Sequence, residues 1–186
     1  CSRCVRFTEE VSGTNELGIV GRGSAEQIDI FPGQPLDNAL SANVIDICPV
    51  GALLDKDFLM TQRVWFLKKH AGIDGITASG ANISIEENEG RVYRVKPRTN
   101  MDVNKWWISD EIRYGWKHVH SEERLTTPMN QAANNAGLEP CDWKTALKDA
   151  ADGLKKIVDE HGTGSLGLMI SPMLTCEDAY LLAKTI

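Results

Sequence analysis

Three cysteines constrain this chain more than any other feature. Cys1-Ser-Arg-Cys4 opens it, and Cys48-Pro49-Val-Gly-Ala follows after 43 further residues. Soft thiolates suit iron–sulfide centres, for which four cysteines are the usual complement. A two-residue gap lets Cys1 and Cys4 reach one centre from a single turn. Pro49 fixes φ just after Cys48, which closes the site from another part of the fold. A CxxC alone also serves redox dithiols and half zinc sites, but a thioredoxin-type dithiol needs a preceding strand. A zinc site would want a second CxxC or a His pair, and His118 and His120 lack zinc-finger spacing. Those two, with His70 and His161, read as exposed or structural. The residues therefore point to an iron–sulfur centre on Cys1, Cys4 and Cys48, with a non-redox zinc-binding or structural scaffold as the rival from another class.

Composition narrows the partners. Apolar residues make up 42% of the 186, and the net charge is −6 with a pI near 5.2. That balance argues against a nucleic-acid surface, which needs a basic patch. Lys68-Lys69 and Lys155-Lys156 are too short for one and read as solvated faces. No stretch approaches the roughly 18 apolar residues that span a bilayer, so direct membrane insertion is not expected. Five cysteines are an odd count, below disulfide-scaffold density, and fit metal-bound thiolates in a reducing compartment. Cys141 and Cys176 stand without partners at ligand spacing and read as ordinary thiols. The chain lacks an initiator Met and ends within an apolar helical pattern at Ile186. It reads as an internal piece of a longer polypeptide, with the fourth ligand outside it.

The periodicity predicts three regions: 1–62, 63–122 and 123–186. In the first, Cys4 to Val11 reads as a helix stopped by Gly13. Glu26 to Phe31 alternates as a strand, and Leu40 to Ile47 is a helix or extended run delivering Cys48. Gly21, Gly23 and Gly51 read as points of close backbone approach, since Gly18-x-x-Gly21-x-Gly23 only weakly imitates a dinucleotide loop. In the second region Val64 to Leu67 and Ile73 to Ala78 read as strands. Asn82 to Val95 is a hairpin turning at Asn88-Glu89-Gly90, followed by a short helix from Ile108 to Trp116. In the third, Trp143, Leu147, Ala150, Leu154 and Ile157 share one helix face. Leu166 to Ile170 then reads as a strand with Pro172 after it, and Thr175-Cys-Glu-Asp178 opens another helix. Helix, strand and helix in that order predict a parallel sheet that continues beyond Ile186. The fold class is α+β passing into α/β.

Three motifs carry a family resemblance: Cys1-Ser-Arg-Cys4-Val-Arg-Phe7, Leu17-Gly-Ile-Val-Gly-Arg-Gly23, and Asn43-Val-Ile-Asp-Ile-Cys48-Pro-Val-Gly-Ala-Leu53. They resemble the large iron–sulfur subunit of the NADH–quinone oxidoreductases of respiratory complex I. Asn82-Ile-Ser-Ile, Gly90 to Arg98 and Trp107 to Tyr114 resemble the family's next domain, a small iron–sulfur module found at the start of molybdopterin oxidoreductases. Arg124-Leu-Thr-Thr-Pro128-Met is similar to the start of its large molybdopterin-oxidoreductase-like α/β domain.

The resemblance implies a truncated ferredoxin-like region at 1–62 holding a [4Fe–4S] cluster on Cys1, Cys4 and Cys48. The fourth cysteine would lie three residues upstream of Cys1, and a [2Fe–2S] and another [4Fe–4S] cluster further upstream. It implies electron transfer from NADH towards quinone, with no substrate bond made by these residues and hence no catalytic residue. Partners would be other peripheral-arm subunits, including the one that binds NADH and FMN. The place would be the cytoplasmic face of a bacterial inner membrane, or the matrix side in mitochondria. A diaphorase-type subunit of an NAD-linked hydrogenase or a molybdenum formate dehydrogenase is the alternative. Formate dehydrogenases of this architecture carry a cysteine quartet at the start of the 63–122 module. This chain has no cysteine between Cys48 and Cys141. The module is thus expected to hold no cluster, residues 63–186 to bind no molybdopterin, and Trp65, Trp106, Trp107 and Trp116 to serve packing. Arg3 and Arg6 flank the ligands, where they either raise the cluster's potential or form salt bridges.

Overall fold

A computed structural model describes residues 1–131, 137–171 and 173–185. The chain divides into two compact units, Cys1–His120 and Ser121–Ile186. The first begins with helix α1 (Arg3–Glu10), whose inward face is Cys4, Phe7 and Thr8. The chain reverses through Gly13 at φ 70°, where Thr14 and Asn15 N–H both donate to the Thr8 carbonyl. Strands β1 (Leu17–Val20) and β2 (Gln27–Ile30) then pair as an antiparallel hairpin. Its turn holds Gly21 at φ 83°, where an added Cβ would stand 2.3 Å from the Ala25 carbonyl oxygen. The glycine run thus lies between two antiparallel strands, whereas a dinucleotide loop joins a strand to a helix.

Glu16 fastens this hairpin to the loop that follows. It is 7% exposed and accepts from the Thr14 hydroxyl at 2.6 Å and from Asn38 N–H at 3.2 Å. Burial alone would raise its pKa, but these bonds, with others from the Asn38 side chain and Asp37 N–H, outweigh burial and hold it below the usual 4.5. A depressed carboxylate stabilises the fold above its unfolded pKa and loses that contribution as pH falls through the folded value. Glu16→Gln should therefore cost about 1 kcal/mol near neutral pH. The gap to the natural protein should close on acidification below the usual carboxylate range. Urea unfolding across that range measures it, and a pH-independent gap would contradict the assignment.

Helix α2 (Asn43–Ile47) precedes Cys48, and its inward side joins Cys4, Phe7, Leu17 and Val44 in one apolar cluster. The second cluster is built on a three-stranded antiparallel sheet of β3 (Lys68–Ile73), β4 (Asn82–Asn88) and β5 (Arg91–Pro97), in that order. The β4–β5 turn is the expected one. Glu89 and Gly90 both take positive φ, 51° and 78°, as a two-residue hairpin turn requires. Ile83 and Val95 pack below the sheet against Ile108 and Ile112. Ile112 belongs to α3 (Asp110–Tyr114), which is capped by the Ser109 hydroxyl accepting from Ile112 N–H.

Two expected strands of this unit are not there. Val64–Phe66 is a tight 3-10 turn closed by Phe66 N–H on the Arg63 carbonyl, and it leaves Trp65 73% exposed. The strand expected at Ile73 to Ala78 lies earlier, at Lys68–Ile73. Asp74 breaks it, because its carboxylate accepts from Ile76 and Thr77 N–H at 2.8 and 3.0 Å and bends the chain. Of the tryptophans expected to pack, Trp107 and Trp116 do so, whereas Trp106 is half exposed.

In the second unit β6 (Met129–Gln131) and β7 (Leu138–Pro140) form a short antiparallel pair that the sequence pattern did not announce. Helix α4 (Trp143–His161) is capped by Asp142, which accepts from Thr145 N–H at 2.7 Å, and ends at Gly162 with φ 81°. Its expected apolar face is present and uncovered, with Trp143 69% and Leu147 63% exposed. Helix α5 (Cys176–Thr185) begins as predicted, with the Thr175 hydroxyl accepting from Asp178 N–H. Leu166 to Ile170, expected as a strand, pairs with no strand among the described residues. Pro172 lies outside the described residues.

Candidate metal centre

Cys1, Cys4 and Cys48 line one cavity of about 250 Å³. Each arrives by a different route. Cys1 is exposed at the start of the chain. Cys4 stands in the first turn of α1 and is 7% exposed. Cys48 caps the end of α2, where its N–H donates to the Val44 carbonyl at 3.1 Å. Ile28, Val50 and Leu53 supply apolar wall, and Arg3 lies on the rim. Arg6 does not reach this cavity. It lies on a neighbouring hollow with Glu10 and Trp107.

The loop after Cys48 wraps the sulfur. Backbone N–H groups of Leu53 and Val50 lower the thiol's pKa most, partial burial opposes them, and Ala52 and Gly51 N–H add to the lowering. Gly51 permits this wrap with φ 65°, a left-handed conformation that side-chain-bearing residues rarely adopt. A thiol eased towards its thiolate suits a metal ligand. The donor set therefore fits a thiolate-held iron–sulfur cluster. Among the described residues no three His, Cys, Asp or Glu side chains converge as a single-ion site. A cluster of several irons spreads its thiolates over a wider volume than one ion does, so a shared cavity is the relevant geometry.

The histidines are engaged elsewhere. His118 Nδ1 lies 2.7 Å from the Gly115 carbonyl, His120 Nε2 accepts from Val92 N–H, and His70 pairs with Glu87 at 3.2 Å. Cys141 and Cys176 belong to the second unit and do not line this cavity. A larger hollow of about 560 Å³ lies beyond Ala52 and Leu53, which it shares with the cysteine cavity. Tyr114 on its wall is pushed up to about 12, first by burial and then by the Asp55 carboxylate, so its phenol stays protonated.

What seats Cys48 was not visible in the sequence. Asn43 in α2 is fully buried. Its Nδ2 donates to the Leu40 and Ile108 carbonyls at 2.8 Å, and its Oδ1 accepts from Ile108 N–H at 3.2 Å. Asp110 accepts from Ala42 N–H and the Ser41 hydroxyl, while Asp110 N–H donates to the Ala39 carbonyl. Asp46 takes Arg113 at 2.6 Å and Lys96 at 2.9 Å. Phe7 meets Trp107 edge to face at 4.9 Å between ring centres. Most residues of this seam occur within the quoted motifs, yet no spacing rule pairs them.

Residues 1–54 match the model of the NADH-quinone oxidoreductase subunit 3 ferredoxin-like domain. Residues 67–117 match that of the NADH-ubiquinone oxidoreductase NDSU1/NuoG-like 4Fe-4S domain. The second stretch contains no cysteine, so its likeness lies in the fold. These matches place the first unit among ferredoxin-like iron–sulfur domains with small antiparallel sheets. More particularly, the chain is homologous to the large iron–sulfur subunit of NADH–quinone oxidoreductases, in its bacterial and its mitochondrial form. It is 41% identical over 90% of its length to NADH dehydrogenase (ubiquinone) iron-sulfur protein 1 of Solanum tuberosum. It is 40% identical over 87% to the NADH-ubiquinone oxidoreductase 78 kDa subunit of Candida albicans. It is 36% identical over 92% to the NADH-quinone oxidoreductase subunit designated G in Rickettsia felis. The chain spans 22%, 22% and 25% of those three relatives' lengths.

Proposed function

We propose that this chain forms part of an iron–sulfur electron-transfer subunit of a respiratory NADH–quinone oxidoreductase, with Cys1, Cys4 and Cys48 as three ligands of a [4Fe–4S] cluster. The observation that carries this reading is the common cavity lined by the three thiols. When bound, such a cluster supplies one-electron oxidation and reduction. The chain's own residues do the rest. The thiolates hold the iron, the amides of the loop after Cys48 offset negative charge, and Ile28 and Leu53 limit water. Arg3 adds positive charge at the rim, which favours a more negative, reduced centre. The fourth ligand is a cysteine outside these residues, and further [2Fe–2S] and [4Fe–4S] clusters lie upstream.

In this reading the chain comprises the ferredoxin-like region 1–62, the cysteine-free module 63–122 and, from 123, the start of a molybdopterin-oxidoreductase-like domain without molybdopterin. The uncovered apolar face of α4 supports a domain that packs against more protein. Other peripheral-arm subunits, including the NADH- and FMN-binding one, are its partners, beside the membrane on the cytoplasmic or matrix side. No helix among the described residues is long and apolar enough to cross a membrane. The test is electron paramagnetic resonance of membranes containing the full-length protein. A Cys48-dependent signal should appear on adding NADH and fade on adding quinone. A signal indifferent to quinone would favour the diaphorase-type alternative, and one indifferent to NADH would overturn both.

A further inference from the structure

We propose that Arg113 is a positioning residue for Cys48, acting from the second module through α2. The inference rests on the ligand role proposed for Cys48. Helix α2 has five residues, too few to hold its own direction in water. Three ties to the neighbouring module fix it instead. Asp110 grips the turn that leads into it through Ser41 and Ala42, and Asn43 bonds the Ile108 backbone. At the far end, two residues before Cys48, Asp46 is held between Arg113 and Lys96.

Arg113 is the group that reaches both the first residue of α2 and the residue before its last. Its Nη2 lies 2.6 Å from Asp46 Oδ2 and 3.4 Å from Asn43 Oδ1, and the side chain is 4% exposed. Cys48 N–H closes the last turn of the same helix on the Val44 carbonyl, so the ligand's backbone inherits whatever direction α2 is given. A module without cysteines thereby sets the approach of a cysteine in the region before it. Outer groups that orient metal ligands commonly govern affinity in this way.

The experiment compares Arg113→Met, Arg113→Lys and Glu86→Gln in the full-length protein carrying its cluster. Glu86 is 2% exposed and paired with Arg94 in the sheet of the same module, so its loss reports general damage without touching Asp46. Line shape of the resonance signal, midpoint potential and iron loss to a chelator are read beside thermal stability. Arg113→Met should alter the line shape and speed iron loss about tenfold. Arg113→Lys should recover most of this, because one nitrogen makes both contacts. Glu86→Gln should leave the cluster readouts unchanged. If Arg113→Met does not fold, Lys96→Met loosens the same carboxylate at a less buried site and should shift the line shape in the same direction. Spectra unchanged in the Arg113 and Lys96 variants, with a signal that still depends on Cys48, would overturn the positioning role alone. A signal that survives Cys48→Ala would overturn the ligand reading beneath it.

Discussion

Cys4→Ala should lower iron and sulfide by the content of the one cluster assigned to Cys1, Cys4 and Cys48, while leaving the first unit folded. Cys4 packs with Phe7, Leu17 and Val44, and the substitution removes a single buried sulfur. A small change of that kind costs on the order of 1 kcal/mol in a packed core. The ligand loss is much larger in effect, because metal binding and ordering of the site are coupled. Iron and acid-labile sulfide per chain, with visible absorption, measure the outcome in the full-length protein. Cys141→Ala, which does not line the cavity, should retain both. Equal iron in the Cys4→Ala and natural proteins would remove Cys4 from the ligand set.

Asn43→Leu should be among the most damaging substitutions outside the ligands. Leucine has similar volume but leaves the Ile108 N–H and carbonyl without their partner, and takes one contact from buried Arg113. Unpaired buried polar groups cost about 1–3 kcal/mol each, so a loss of roughly 3–5 kcal/mol is expected. Urea unfolding followed by tryptophan fluorescence reads it, since Trp107 packs on the same seam. A loss below about 1 kcal/mol would mean that the seam relaxes around the leucine.

Local structure was legible where a single stretch carried its own signal. The β4–β5 hairpin announced itself through alternating Ile83, Ile85, Tyr93 and Val95 around Glu89-Gly90. Helix α4 did so through its apolar spacing and Gly162. Apolar runs misled where a turn intervened. Val64 to Leu67 looks like a strand, yet it has no partner to pair with and coils into a 3-10 turn. Asp74 ends β3 by bonding its own following amides, a competition that hydrophobic alternation does not register. The cysteines that share the cavity were all named from spacing. The turn after Cys48, whose amides lower the thiol's pKa, was foreshadowed only by Gly51. The seam of Asn43, Asp46, Lys96, Asp110 and Arg113 was not legible, because its pairs join positions more than sixty residues apart in most cases. Buried polar partners so far apart leave no periodic trace in one sequence.

The most direct test of the central claim is Mössbauer spectroscopy of the full-length protein enriched in the Mössbauer-active iron isotope, beside its Cys48→Ala variant. The account predicts a [4Fe–4S] component in the natural protein that is missing from the variant, with any other clusters unchanged. The same set of components in both proteins would contradict it.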